Sequence, residues 1–208
     1  MKKIAVLASG RGSNFQAILD SLAAGKINGE CIALLTDNKD SYSIERAKNA
    51  GIKGYVLPRK EFDSNRAMTV ALVKILKDLQ IDLVVLAGCM IIFTQELVDA
   101  YPNAIMNVHP ALIPSFCGKG YYGLHVHEAA LEKGVKVSGA TVHIVTPECD
   151  AGPIVLQKAV EVKDDDTPET LQKRIMEEAE WKILPTAVRL FCEDRITVVE
   201  NRVYLKGE

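Results

Sequence analysis

Ile4-Ala5-Val6-Leu7-Ala8-Ser9-Gly10-Arg11-Gly12-Ser13-Asn14-Phe15 decides how this chain is built. Its first five residues form a short apolar run of the kind strands favour. Two glycines then interrupt it, and Phe15, Ile18, Leu19 and Leu22 recur at helical spacing over residues 13–24. A strand, a glycine turn and a helix are the opening of an α/β unit. Gly10 and Gly12 let the backbone turn tightly and approach a ligand. The helix start presents unpaired N–H groups and partial positive charge, which suits a phosphate. Ser13 and Asn14 add side-chain donors and Arg11 adds charge. The loop is neither the G-x-G-x-x-G fingerprint nor a Walker A loop, since position 15 is Phe. It reads either as a phosphate loop or as a tight turn capped by Ser13.

The same alternation continues outward. Residues 31–35 and 53–57 read as strands, and residues 43–50 and 66–79 as helices, the latter with Met68, Ala71, Leu72, Ile75 and Leu76 on one face. Residues 82–87 are apolar after Asp82, as a strand covered on both faces should be. Thr94 is expected to cap a helix reaching Ala100. A strand follows over 104–108, then a helix over Leu124–Lys133 and extended segments over 137–145 and 153–162. Residues 167–191 form the longest helical pattern, with Pro168 tolerated in its first turn. Residues 196–199 and 202–205, separated by Glu200-Asn201, read as a hairpin. The pattern predicts an α/β fold: a doubly wound, largely parallel, Rossmann-like sheet with helices on both faces and mixed strands in the C-terminal half.

Composition narrows the function classes. The 208 residues suit one domain, and 48% hydrophobic content is ample for one core. A net charge of −2 lacks the basic surplus of a general nucleic-acid binder. Cys31, Cys89, Cys117, Cys149 and Cys192 form no C-x-x-C pair, so neither a zinc site nor a redox dithiol is suggested, and a reducing cytoplasm is expected. The apolar start ends at Ser9-Gly10-Arg11-Gly12, too soon for a signal sequence, and no apolar stretch approaches membrane-spanning length.

Met106-Asn107-Val108-His109-Pro110 is the most informative pentapeptide. Residues two apart on a strand share a face, so Asn107 and His109 are neighbours. Pro110 ends the ladder and leaves the pair near the strand's carboxyl end, where open α/β sheets bind ligands. An amide donor beside an imidazole suits a developing oxyanion, and His moves protons near neutral pH. Asp150, in the turn-rich Glu148-Cys149-Asp150-Ala151-Gly152-Pro153, is a carboxylate that would orient a histidine and favour its protonation. Spacing alone does not bring Asp150 to His109, and a loop-capping role stays open. His143 reads as a hydrogen-bonded core residue. His125-x-His127 lacks a third metal ligand and reads as structural or as part of a ligand pocket. The mixed-sign run 59–66 reads as solvated surface.

The chain resembles the glycinamide ribonucleotide formyltransferase family along nearly its whole length. The resemblance rests on Gly12-Ser13-Asn14, Leu86-Ala87-Gly88-Cys89-Met90, Asn107-Val108-His109-Pro110-Ala111-Leu112-Ile113-Pro114-Ser115-Phe116, Gly139-Ala140-Thr141-Val142-His143 and Asp150-Ala151-Gly152-Pro153-Ile154. It implies a single catalytic domain over 1–208, with a nucleotide-phosphate half of about 1–100 and a folate and catalytic half of about 101–208. It further implies formyl transfer from 10-formyltetrahydrofolate to 5-phosphoribosylglycinamide in purine (IMP) biosynthesis. Asn107, His109 and Asp150 would be catalytic, with His109 protonated. Gly12, Ser13, Asn14 and Glu180 would bind the ribonucleotide. Met90, Ile91, Ile92, Phe93, Asn107 and Arg66 would meet the folate, with no metal. The partners implied are small molecules rather than nucleic acid or membrane, for a monomer or homodimer.

Three positions depart from the family pattern: Arg66 is the nearest base to a usual basic site near Asn65, Ile91 replaces a frequent Arg, and residues 117–123 expand a shorter loop. A folate-dependent hydrolase would be expected to carry an N-terminal regulatory domain, and a tRNA-directed formyltransferase an added C-terminal domain. A non-catalytic nucleotide-binding module is the reading from another class; the presence of Asn107, His109 and Asp150 argues against it.

Overall fold

The structure, a computed structural model, describes residues 1–207. The chain divides into two units, Met1–Asn107 and the residues from Val108 onward. In the first, the strands are β1 (Lys2–Leu7), β2 (Gly29–Thr36), β3 (Lys53–Val56), β4 (Leu83–Leu86) and β5 (Ile105–His109), the last running two residues past the division. The helices are α1 (Ser13–Ala23), α2 (Tyr42–Asn49), α3 (Asn65–Asp78) and α4 (Gln95–Ala100). All strand pairings here are parallel: β1 lies between β2 and β4, β3 flanks β2, and β5 flanks β4. Every residue of β4 is buried, as is the Ile4–Leu7 stretch of β1, so both strands read as unbroken apolar runs. Phe15, Ile18 and Leu19 of α1 and Met68, Leu72 and Leu76 of α3 are buried as well. Burying each such side chain contributes about 2 kcal/mol.

The second unit contains α5 (Leu124–Lys133), the antiparallel pair β6 (Val137–Ile144) and β7 (Ile154–Glu161), α6 (Pro168–Ile175), α7 (Trp181–Cys192) and the hairpin β8 (Ile196–Val199) and β9 (Arg202–Leu205). The sheet order is β3-β2-β1-β4-β5-β6-β7, the largely parallel arrangement with an antiparallel C-terminal strand that the pattern predicts.

Three local expectations are corrected. Gly12, not Ser13, takes the cap position of α1, because that residue is left-handed (φ 68°, ψ 31°) and Ser13 is already helical. Thr94 precedes α4 but makes no side-chain cap hydrogen bond. The single helix expected over 167–191 is two helices joined by a π-helical segment, Met176–Glu180. Its start is as expected: Thr167 and Thr170 form a reciprocal capping box, with Pro168 in the first turn.

Gly139 shows how closely β6 and β7 approach. A Cβ there would lie 2.1 Å from the Lys158 carbonyl oxygen and 2.9 Å from Leu112 Cδ2. Gly139→Ala is therefore expected to lower the unfolding free energy by about 3 kcal/mol. Gly54→Ala, whose Cβ meets nothing within 4 Å, should change it by less than about 0.5 kcal/mol. Urea unfolding midpoints of the two variants provide the check.

Candidate functional site

Strand order locates a candidate ligand-binding edge in the first unit. The chain leaves β1 for β2 and β3 on one side, then returns to place β4 on the other. The carboxyl ends of β1 and β4 flank this switch point, where open α/β sheets bind ligands. Ser9, just past β1, joins the two loops that start there. Its N–H donates to Gly88 O (3.1 Å), and its Oγ accepts from the Met90 N–H (2.9 Å). The Gly10–Asn14 turn and the Met90–Phe93 segment are thus neighbours in one unit. Asn14 is buried; Ser13 is half-buried. Met90 and Ile92 are exposed, whereas Ile91 and Phe93 are half-buried. The apolar side chains expected to meet a folate include two that the surrounding residues leave uncovered. Arg66 lies on α3 with its Nε 2.5 Å from Glu96 Oε1, so its charge is already partnered.

In the second unit a separate cluster centres on His109, 4% exposed at the end of β5. Asn107, two residues earlier on the same strand, is half-buried and pairs in register with Leu86. The His109 Nε2 lies 2.8 Å from the Phe116 carbonyl. A carbonyl only accepts, so Nε2 carries the hydrogen and Nδ1 turns the other way. Nδ1 is 3.6 Å from Asp150 Oδ2, and the other Asp150 oxygen is 3.5 Å from Nε2 of His143. Asp150 Oδ2 also accepts from the Gly118 N–H at 2.9 Å. The loop joining β6 to β7 thus brings Asp150 to His109, which spacing could not establish.

That loop is clamped at both ends. The Ile144 N–H donates to Pro153 O at 2.8 Å, and a Cβ on Gly152 would sit 1.8 Å from Ile144 O. Only glycine fits there. Asp150 itself is left-handed (φ 52°), a conformation that Asp tolerates better than most residues.

The electrostatics follow from burial and from these contacts. Burial alone would raise the Asp150 carboxyl. The His143 ring, the Gly118 N–H and the charge that either histidine can carry outweigh it, and hold the group down at about 2. Asp150 is therefore a carboxylate throughout the neutral range. Burial lowers the His109 pKa; Asp150 and the Phe116 carbonyl push it up without overcoming that loss of solvent, and His143 adds to the lowering. Desolvation wins: in the free protein the His109 pKa lies below its ordinary value, a state on which the sequence is silent.

His143, expected only as a core residue, is buried with Nδ1 3.0 Å from Ile144 O, and it also flanks the catalytic candidate Asp150. Period-two alternation along β6, which puts Gly139, Thr141 and His143 on one face, was the available signal. His125 and His127 fall on helix α5, within the helix that the pattern predicts over Leu124–Lys133. His125 is exposed and pairs with Glu128 at 2.9 Å. His127 is fully buried, and neither ring nitrogen meets a hydrogen-bond partner among the described residues. A cavity of about 710 Å³ opens beside Asp150, bordered by Pro114, Cys117, Gly118, Cys149 and, from the terminal hairpin, Arg202 and Tyr204. Glu180 is buried at the last position of the π-helical segment. Such π distortions recur where helices carry functional side chains.

The family model described as formyl transferase matches residues 2–188, and the chain belongs to that family. The phosphoribosylglycinamide formyltransferase of Haemophilus influenzae is 38% identical over 208 residues, covering 100% of this chain and 95% of that protein. The chloroplastic phosphoribosylglycinamide formyltransferase of Arabidopsis thaliana is 42% identical over 205 residues, 98% of this chain and 70% of that one. The crystal structure of glycinamide ribonucleotide transformylase 1 from Symbiobacterium toebii superposes with a TM-score of 0.94 at 42% identity, covering 100% and 95% of the two chains. Within the formyl transferases, this enzyme stands among the phosphoribosylglycinamide formyltransferases.

His127 generates a pH prediction. Burial, with a smaller contribution from His109, pushes its pKa down from 6.5 to about 4. The unfolded chain therefore binds a proton that the native state refuses. This contribution to stability is complete above pH 6.5 and shrinks as pH falls toward 4, by roughly 3 kcal/mol in all. Unfolding free energies measured between pH 7 and 4 should show that loss in the parent protein, and His127→Leu should flatten it.

Proposed function

We propose that the protein transfers the formyl group of 10-formyltetrahydrofolate to the amine of 5-phosphoribosylglycinamide, a step of purine (IMP) biosynthesis. The observation that carries this reading is the buried imidazole of His109, with Nε2–H directed at an oxygen acceptor and Nδ1 facing an ionised Asp150. Support also comes from the names of the similar proteins. In the proposed reaction the amine attacks the formyl carbon, and the carbonyl electron pair moves onto oxygen. His109 Nε2–H donates to that oxyanion in place of the Phe116 carbonyl, which has to yield when substrate binds. The Asn107 carboxamide adds a second donor.

Negative charge developing on the oxyanion that faces Nε2–H raises the ring's proton affinity. A proton taken up at Nδ1 then meets the Asp150 carboxylate. As the bond from the formyl carbon to the folate nitrogen breaks, the amine's proton passes to that nitrogen, by way of His109 or a water held by Asp150. Protons balance, and the scheme uses neither a metal nor a covalent enzyme intermediate. Gly12, Ser13 and Asn14 would hold the ribonucleotide phosphate, Glu180 would contact the nucleotide, and Met90, Ile91, Ile92 and Phe93 would line the folate pocket. Arg66 would reach the folate only by exchanging its Glu96 partner.

Mixing both substrates with the purified protein and following the deformylated folate tests this reading. Turnover should require the ribonucleotide, and His109→Ala should lower it by about 10²–10³-fold, the usual cost of one oxyanion donor. Turnover that persists without ribonucleotide would assign a folate hydrolase instead.

A further inference from the structure

Helix α2 holds the Gly10–Gly12 turn from behind. The Ser41 Oγ donates to Gly10 O at 2.6 Å, and the Ser43 N–H donates to the same oxygen at 3.3 Å. Arg46 Nε donates to Arg11 O at 2.9 Å, while its Nη1 donates to the Gln16 Oε1 of α1 at 2.8 Å. The guanidinium carbon stands 5.1 Å from the centre of the Tyr42 ring, so the side chain is braced on three sides. Contact at Gly12 is close: a Cβ there would lie 2.8 Å from Ser43 Cβ and 3.4 Å from Arg46 Cδ.

Peptide planarity turns these bonds into a statement about donors. In a trans peptide the N–H points opposite to the C=O of the same unit. Gly10 O shares a peptide with the Arg11 N–H, and Arg11 O shares one with the Gly12 N–H. Both oxygens are drawn toward α2, so both hydrogens face away from it. Neither amide finds an acceptor among the described residues, although Gly12 is buried. A buried amide without a partner is rare, and the Gly12 N–H beside that of the exposed Arg11 at a helix start makes an anion cradle.

We infer that Arg46 is a positioning residue for the ribonucleotide: by holding the Arg11 carbonyl it aims the Gly12 N–H at the substrate phosphate, without touching the substrate itself. This rests on the phosphate-loop reading above. Nothing else on α2 reaches the Arg11 oxygen. Lysine could keep a charge over Tyr42, but it lacks the planar fork that serves Arg11 O and Gln16 together.

The test separates the clamp from the loop. Steady-state constants for both substrates, and competition by inorganic phosphate against the ribonucleotide, are measured for the parent protein and for Gly12→Ala, Arg46→Ala and Arg46→Lys. Arg46→Ala should raise the ribonucleotide KM and weaken phosphate competition by roughly tenfold, with the folate KM and kcat nearly unchanged. Arg46→Lys should recover part of that loss. If Gly12→Ala weakens phosphate competition while both Arg46 variants keep the parent KM, the loop reading stands and the clamp is wrong. If phosphate competes equally with the parent protein and Gly12→Ala, the loop reading fails and takes the clamp with it. Equal losses for both substrates in both Arg46 variants would show a merely structural side chain and overturn the proposal.

Discussion

A carboxylate kept ionised away from water is the constraint on which the site depends. The Asp150 side chain is 10% exposed, and an isolated buried charge would cost several kcal/mol. Two imidazoles and the Gly118 N–H make it tolerable. Each contact demands something of the fold. His109 must sit at the end of β5, His143 near the end of β6, and Gly118 in the loop after Pro114. The loop between β6 and β7 must return with Asp150 left-handed and with no side chain at Gly152.

This arrangement also explains why a buried histidine suits acyl-group chemistry. In the proposed reaction the ring already carries its hydrogen on Nε2, and that donor exchanges the Phe116 carbonyl for the developing oxyanion. Burial outweighs Asp150 and lowers the ring's pKa in the free protein, while in the proposed reaction Asp150 would supply the counter-charge to a ring protonated at Nδ1. Neither alone would give that behaviour: Asp150 without burial would push the ring's pKa up, and burial without Asp150 would lower it further.

Much of this was legible in the residues. The glycine-punctuated opening, the apolar run of β4 and the alternation after it led to the observed sheet. Asn107 and His109 were found through period two on one strand. What escaped depended on contacts distant in sequence or on backbone geometry. The approach of Asp150 to His109, the dual role of His143 and the hold of Arg46 on Arg11 O have no signature in spacing. The protonation of free His109 is not legible in the sequence, because a nearby carboxylate is visible as a residue type, whereas the loss of solvent is visible only once the surroundings are folded. Likewise, the π-helical segment ending at Glu180 preserves an unbroken helical pattern in sequence.

The balance between burial and Asp150 at the His109 ring is the central claim, and an NMR titration of the His109 imidazole in the parent protein and in Asp150→Asn measures it most directly. The account predicts a His109 pKa below 6.5 in the parent, and lower still once the carboxylate is neutralised. A parent value above 6.5, or no change on removing the Asp150 charge, would contradict it.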